Sequence, residues 1–519
     1  MLCNPSDSGG ARGAPLGRRA GRIILEVDGP FPFCRRRRFA SRFDFPSVTL
    51  AGALLMPKRT PFQQWLQQPD ADTASNSNGP TDTRLPVLVV GAGPAGLAGM
   101  AALRQAGVAF VGVEAHARVG GIWDRTNAVS SVYEGLSTVT SRHTTHLGRP
   151  LPEGTPDYLP HQTAHAYLED FAEKEELVEH VRFRTSFVGA EKSPRGTWRV
   201  KLRPAEGEAY EEEFRGIVFA TGSHNRNNAR FPAELARQAR EAGVRVMHSA
   251  EYETPEQLAG QRVLIVGIGN SGSDIADKVS TTAARTIVAV RTTPWINPQT
   301  AFGIPCDKLA ADTPSWWPYW YRKSSFHVIR WLKVGGYRRL GLSRPRHSIN
   351  DRVTIGDRGI VEAIRSGRVV VRSNVVDLSD GVARFADSKH AAEPVDVVMF
   401  ATGFERRYPL LDAAGTSNDD VARALSFLVF HASEPGLCYL AETVGQRGCW
   451  PIFREQARAI AAYFRAEQQG KPNVRRFDAR RSLDTPSFKG ALFHQADTFH
   501  VDYDIYAEAL QELSEWLAA

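Results

Sequence analysis

Six glycines, in two sets of three, have the type and spacing to do chemistry. VVGAGPAGLAG (residues 89–99) spaces Gly91, Gly93 and Gly96 as GxGxxG, and VGIGNSGSDIA (266–276) spaces Gly267, Gly269 and Gly272 alike. In such a turn the first glycine permits the bend and the second lets backbone approach a pyrophosphate. The third lets a helix pack closely on its strand, and the helix N-terminus favours phosphate charge. Gly91, Gly93, Pro94, Ala95 and Gly96 are therefore candidate ligands of one dinucleotide. Gly267, Gly269, Asn270, Ser271, Gly272 and Ser273 are candidates for a second.

The residue ending the next strand distinguishes the two. Glu114 follows Gly96 by eighteen residues, and a carboxylate there accepts hydrogen bonds from an unphosphorylated ribose. Arg291 follows Gly272 by nineteen residues and is read as taking the place that Glu114 holds in the first unit. A carboxylate would repel a 2′-phosphate, whereas a guanidinium binds it, so Arg291, with Thr292 beside it, selects NADP(H). The first turn suits FAD, and the pairing implies hydride transfer from NADPH onto a flavin.

These turns need strands before them and helices after them, and both are legible. PVLVV, LAGMAALRQAG and AFVGVEA form one strand–helix–strand unit; QRVLIVG, SGSDIADKVS and RTIVAVR form another. GIVFAT (216–221) and VDVVMFAT (395–402) read as further buried strands. The alternation predicts an α/β, mostly parallel, doubly wound architecture. A helix is expected near 357–367, and two amphipathic helices, REQARAIAAYFRAEQQ and YAEALQELSEWL, close the chain.

With these elements in place, residues 85–470 resemble the flavin-containing monooxygenases, class B flavoproteins with an FAD domain and an inserted NADP domain, both Rossmann-like. RVGGIWD (118–124) is similar to the segment that lies along the flavin, through Gly120, Gly121, Ile122 and Trp123. VFATGSHNRN, with Ala220, Thr221 and Gly222, and DVVMFATGFERRYP, with Thr402, resemble the paired ATG segments that link the domains. REQARAIAAYF resembles the late QAR helix. The resemblance implies FAD domain segments at 85–230 and 346–519, the latter with the C-terminal helices. The NADP domain, with a Trp-rich segment, is expected at 231–345, and a disordered leader and linker at 1–84. It further implies an NADPH- and O2-dependent oxygenation of a small nitrogen, sulfur or carbonyl compound through a flavin C4a-hydroperoxide.

Two departures bear on that expectation. The family's FxGxxxH signature should end at His248, but Ala242 and Val244 stand at its Phe and Gly positions; only His248 and Tyr252 remain. A Baeyer–Villiger member would have Trp at Tyr252. In YEGLSTVTSRH (133–143), Thr138 matches the flavin-proximal Thr-Asn pair, while Val139 occupies the Asn position. An isopropyl group cannot hydrogen-bond as an amide does. An NADPH oxidase or flavin reductase without oxygen insertion, or a Baeyer–Villiger enzyme, is therefore an alternative. GGIWDRTN holds no cysteine, which disfavours a disulfide reductase. His143 and His146 lack a third ligand and are read as solvent or core histidines.

Charge and composition narrow the rest. The chain's net +7 resides in residues 1–60, with ten Arg and one Lys against four acids, leaving 53 basic and 53 acidic residues elsewhere. A neutral body gives no reason to expect nucleic-acid binding. The leader is read as a disordered extension, with Met56 an alternative start, rather than a targeting segment. Cys3, Cys34, Cys306, Cys438 and Cys449 form no CxxC, so neither a disulfide framework nor a metal site is expected, and the compartment is read as the reducing cytoplasm. Residues 295–331 hold five of the ten tryptophans and suit a substrate lid, packing between domains, or peripheral membrane contact.

Overall fold

A computed structural model describes residues 60–67, 82–313, 319–347, 349, 354–387, 392–411, 424–440, 443–445, 448–481, 492–495 and 498–519. The reading of residues 1–59 and 68–81 as leader and linker lies outside them. Two largely parallel sheets dominate. The first orders its strands Leu425–Ser426, Phe430–His431, Leu437–Tyr439, Gly216–Phe219, Val87–Val90, Phe110–Val113 and Val181–Arg182. The second orders Val369–Ser373, Arg285–Val290, Arg262–Val266, Val397–Phe400 and Arg245–His248, all parallel. VLVV and VVMF are buried at every position, as strands covered on both faces require.

Each sheet carries a glycine turn between a central strand and a helix. Val87–Val90 runs through Gly91–Gly93 into the helix Pro94–Gln105, and Arg262–Val266 runs through Gly267–Gly269 into Asn270–Val279. The helix Trp450–Gln468 packs on Pro94–Gln105, and the last helix, Tyr503–Ala518, packs on it in turn. An antiparallel sheet of Thr185–Lys192, Trp198–Pro204 and Tyr210–Phe214 fills the connection between two strands of the first sheet.

Two boundaries shift from the sequence reading. The expected end of the second unit at residue 345 falls too early, because Val369–Ser373 and Val397–Phe400 complete its sheet. A strand far along the chain pairs there because the central strand Arg262–Val266 needs a neighbour on each side. The reading of 1–84 as leader and linker does not hold for Pro61–Leu66, which forms a helix opened by a capping box at Thr60. Trp65 is fully buried between Phe427, Phe477 and Trp516, with the Arg480 guanidinium 5.4 Å from its ring. Phe62 packs in the same cluster. This short segment thus belongs to the first core.

Candidate functional site

The two glycine turns are built alike, down to what fills the space the glycines leave. Gly91 has φ +106° and Gly267 φ +109°, the left-handed side that glycine adopts freely. A Cβ on Gly91 would lie 2.5 Å from the Ala220 carbonyl oxygen, and one on Gly267 would lie 2.6 Å from that of Ala401. The ATG segments are therefore structural partners of the glycine turns. Ala220 N–H donates to Val90 O and Ala401 N–H to Val266 O, so each alanine extends its sheet against the turn. Gly96 and Gly272 are as constrained, since their Cβ atoms would meet Gly91 O at 1.8 Å and Gly267 O at 2.2 Å.

Both helices begin at a glycine with no side-chain cap. Their first-turn N–H groups lie inside the turn, which is the donor set that a phosphate satisfies. Gly120 and Gly121 face the first turn, both at positive φ, and a Cβ on Gly93 would sit 3.6 Å from Gly121 Cα. Asn127 Nδ2 and Ser130 Oγ hold that loop by donating to Gly121 O and Ile122 O. Trp123 packs edge-on against Trp450. The loop is anchored further by Asp124, buried and paired with Arg118 and His116. Burial pushes the Asp124 carboxyl up, but hydrogen bonds from the Thr126 hydroxyl and amide and from His116 outweigh it, holding the pKa at about 2.

Glu114 is buried and already organises the first turn. One carboxylate oxygen accepts from Ala92 N–H at 2.7 Å, the other from His116 N–H at 2.8 Å. The second unit repeats this register. Val90 pairs with Val113 and Val266 with Ala289, each 23 residues on, so Val290 matches Glu114 and Arg291 stands one residue further on. The place read for Arg291 is thus corrected by one position, because Val290, like Glu114, lies eighteen residues after the third glycine, whereas Arg291 lies nineteen. Val290 removes the carboxylate, and Arg291 and Thr292 lie exposed at the strand end.

Thr138 and Val139 have different surroundings. Thr138 is buried with its hydroxyl committed, donating to Thr140 O at 2.7 Å and accepting from Leu159 N–H at 3.0 Å. Val139 is 44% exposed and sits beside Gly356, whose N–H donates to Asn270 Oδ1 at 3.2 Å. Val139 and the opening residue of the second helix therefore flank one short loop.

Around these positions runs a polar seam that the sequence reading missed. Tyr133 donates its hydroxyl to Asp274 Oδ2 at 2.5 Å, and burial together with that carboxylate pushes its phenol far above the ordinary range. Arg358 lies 3.6 Å from Asp274 Oδ2 and donates to Ser137 O at 2.5 Å, while Lys278 pairs with Asp274 Oδ1 at 3.4 Å. The one available signal was an acid among the otherwise small and apolar residues Ser273, Ile275 and Ala276. Elsewhere Arg230 donates to Thr402 O and Thr402 Oγ1 to Arg230 O, while Ala229 bridges Phe404. These contacts make the two links between the sheets one hydrogen-bonded ribbon. His248 belongs to it, buried between Phe231 and Phe404 with Nε2 3.0 Å from Gly403 O; burial lowers its pKa.

Among the described residues Cys306, Cys438 and Cys449 are free, no acidic, His or Cys group is grouped to hold a metal, and no helix is long and apolar enough to cross a membrane.

Comparison with known proteins agrees with this geometry. The chain is 27% identical over 342 residues to flavin-containing monooxygenase 5 of Mus musculus, covering 63% of each chain. It thus spans about 63% of the length of that relative. A steroid monooxygenase bound to NADP shares its fold, with TM-score 0.59, 18% identity and coverage of 83% of this chain and 98% of that one. S-allyl-L-cysteine S-oxygenase from Allium sativum does so with TM-score 0.56, 20% identity and coverage of 83% and 88%. The family model for flavin-binding monooxygenase-like proteins matches residues 85–433, which take in both glycine turns and both ATG segments, and the chain belongs to that family.

Proposed function

We propose that the chain is an NADPH- and O2-dependent flavoprotein monooxygenase that oxygenates a small nitrogen-, sulfur- or carbonyl-containing compound. The observation that carries this reading is the pair of equivalent glycine turns, each braced by its own ATG alanine, with Val139 beside the loop that holds Asn270.

The first turn fits FAD. Gly91, Gly93, Pro94, Ala95 and Gly96 offer uncapped N–H groups to the pyrophosphate, and Glu114 offers acceptors to a ribose. Gly120–Trp123, Thr138 and Ala220–Gly222 would be the residues that meet the isoalloxazine. The second turn fits NADPH, with Gly267–Ser273 for the pyrophosphate, Arg291 and Thr292 for the 2′-phosphate, and Thr402 in the hydrogen-bonded link to Arg230. Bound FAD supplies hydride acceptance and oxygen activation. The protein's part is to hold the two nucleotides apart from solvent and in register. Arg358 and Asp274 tie the 133–139 segment to the second helix, and the 228–230/402–405 ribbon joins the two sheets.

Isotope-labelled O2 tests the reading. With an accepted amine, sulfide or ketone present, NADPH oxidation should place one labelled oxygen in the product and suppress peroxide release. Peroxide released one-for-one with NADPH, whatever compound is added, would make the protein an oxidase. Val139, where an amide would otherwise stand, is the residue that favours that second outcome.

A further inference from the structure

The strongest unexplained surface lies on the helix Tyr319–Val334 and the loop after it. Residues 313–350 contain Arg322, Lys323, Arg330, Lys333, Arg338, Arg339, Arg344 and Arg346 and no Asp or Glu, a local charge of +8. Residues 61–519 net zero overall, so this segment is a separated patch of charge and not a share of a general excess.

The helix has two faces. Arg330 and Val334 point inward, the Arg330 guanidinium lying 3.9 Å from the Trp295 ring centroid. On the other face Val328, Trp331 and Leu332, spaced i, i+3, i+4, are 56%, 66% and 63% exposed. One exposed Leu is ordinary, but three large apolar side chains on one helical face are a candidate contact surface. Lys333, Arg338, Arg339, Arg344 and Arg346 follow, all exposed and without an ion pair to a carboxylate among the described residues.

We propose that this face docks peripherally on an anionic lipid bilayer. The apolar ridge would enter the headgroup region while the cations meet lipid phosphates and carboxylates. The ridge argues against a nucleic acid, whose phosphates would satisfy the cations but leave Trp331 and Leu332 in water. Absence of acids argues against a basic or mixed-charge protein face.

Full-length, FAD-loaded protein should be sedimented with vesicles of phosphatidylcholine alone and with added phosphatidylserine. Binding is expected with the anionic vesicles, falling with salt. Arg338→Gln with Arg339→Gln should weaken it by about 25-fold, at about fivefold for each charge removed near the surface. Replacing Val328, Trp331 and Leu332 by Ser should weaken it at least tenfold, with the rate of flavin reduction by NADPH unchanged as proof of a folded protein. Absence of binding, equal binding to neutral vesicles, or binding indifferent to both sets of substitutions would overturn the proposal. So would self-association in ultracentrifugation that the serine substitutions abolish, since the face would then serve a second copy of this chain.

Discussion

Asp274→Asn is the sharpest perturbation of the seam between the two sheets. It keeps the side chain's shape and one acceptor while removing the charge that three partners use. Asp274 is 3% exposed and Arg358 only 9%, so Arg358 would remain buried beside a neutral amide. Breaking a buried pair from one side costs about 3–5 kcal/mol. The low end applies here, because Arg358 keeps its bond to Ser137 O and Lys278, 26% exposed, can rehydrate. The Tyr133 hydroxyl would exchange a charged acceptor for a neutral one, a loss of about 1 kcal/mol already within that range. A total of about 3 kcal/mol, at about 2–4 °C for each kcal/mol in a domain this large, lowers the melting temperature by about 6–12 °C. Tyr133→Phe alone should lower it by about a third as much. In the double variant the two losses should overlap, with a coupling of about 1 kcal/mol, because both remove the same hydrogen bond. The assay is thermal melting of the FAD-loaded single and double variants. A melting temperature for Asp274→Asn within 2 °C of the parent, or strictly additive losses, would refute the assignment of this seam.

Other substitutions test other parts of the structure. Trp65→Ala should destabilise by about 3–5 kcal/mol, seen as a lowered melt, and a chain begun at residue 85 should lose a similar amount. An unchanged melt would remove Pro61–Leu66 from the core. Gly96→Ala places a methyl 1.8 Å from Gly91 O and should give a protein purified without flavin; a yellow variant would contradict the first site. Gly272→Ala should keep the flavin and lose its reduction by NADPH, and an unchanged rate would dissociate the second turn from the nucleotide. Asp124→Asn should cost about 2 kcal/mol at neutral pH, since its folded pKa of about 2 lies below the 3.8 of a free aspartate. A depressed folded pKa gives stability that is present above about pH 4 and lost as pH falls towards 2. The gap between variant and parent in denaturant melts should therefore close below pH 4, and a gap independent of pH would exclude the carboxylate as its source.

Much of the fold was legible because its central elements are local. VLVV, RVLIV and VVMF are short apolar runs with glycine turns or ATG segments at their ends, and each became a buried strand. Glu114 was legible for the same reason: it stands at the end of the strand paired to the first, a fixed distance from the glycines. What escaped was long-range. The pairing of Val369–Ser373 with Arg285–Val290 joins residues some eighty apart, and no periodicity in either announces it. The one-residue offset of Arg291 was already present in the spacing, nineteen residues from the third glycine against eighteen for Glu114, and the strand pairing puts Val290 in the matching place. Trp65 fell within the stretch read as leader and linker because its partners, Phe427, Phe477 and Trp516, lie more than 360 residues away. Asp274 was hidden in plain view within the second glycine motif, where its role depends on Tyr133 and Arg358 from other segments.

The most direct measurement is anaerobic reduction of the bound flavin by NADPH and by NADH, in the parent and in Arg291→Ala. The parent should bleach with much lower concentrations of NADPH than of NADH. Loss of one charge-assisted contact worth about 1.5–3 kcal/mol should cut that preference by roughly tenfold to a hundredfold or more, through the NADPH concentration required and not through the limiting rate. Equal reduction of the parent by the two nucleotides, or an unchanged preference in Arg291→Ala, would contradict the assignment of the second glycine turn to NADPH.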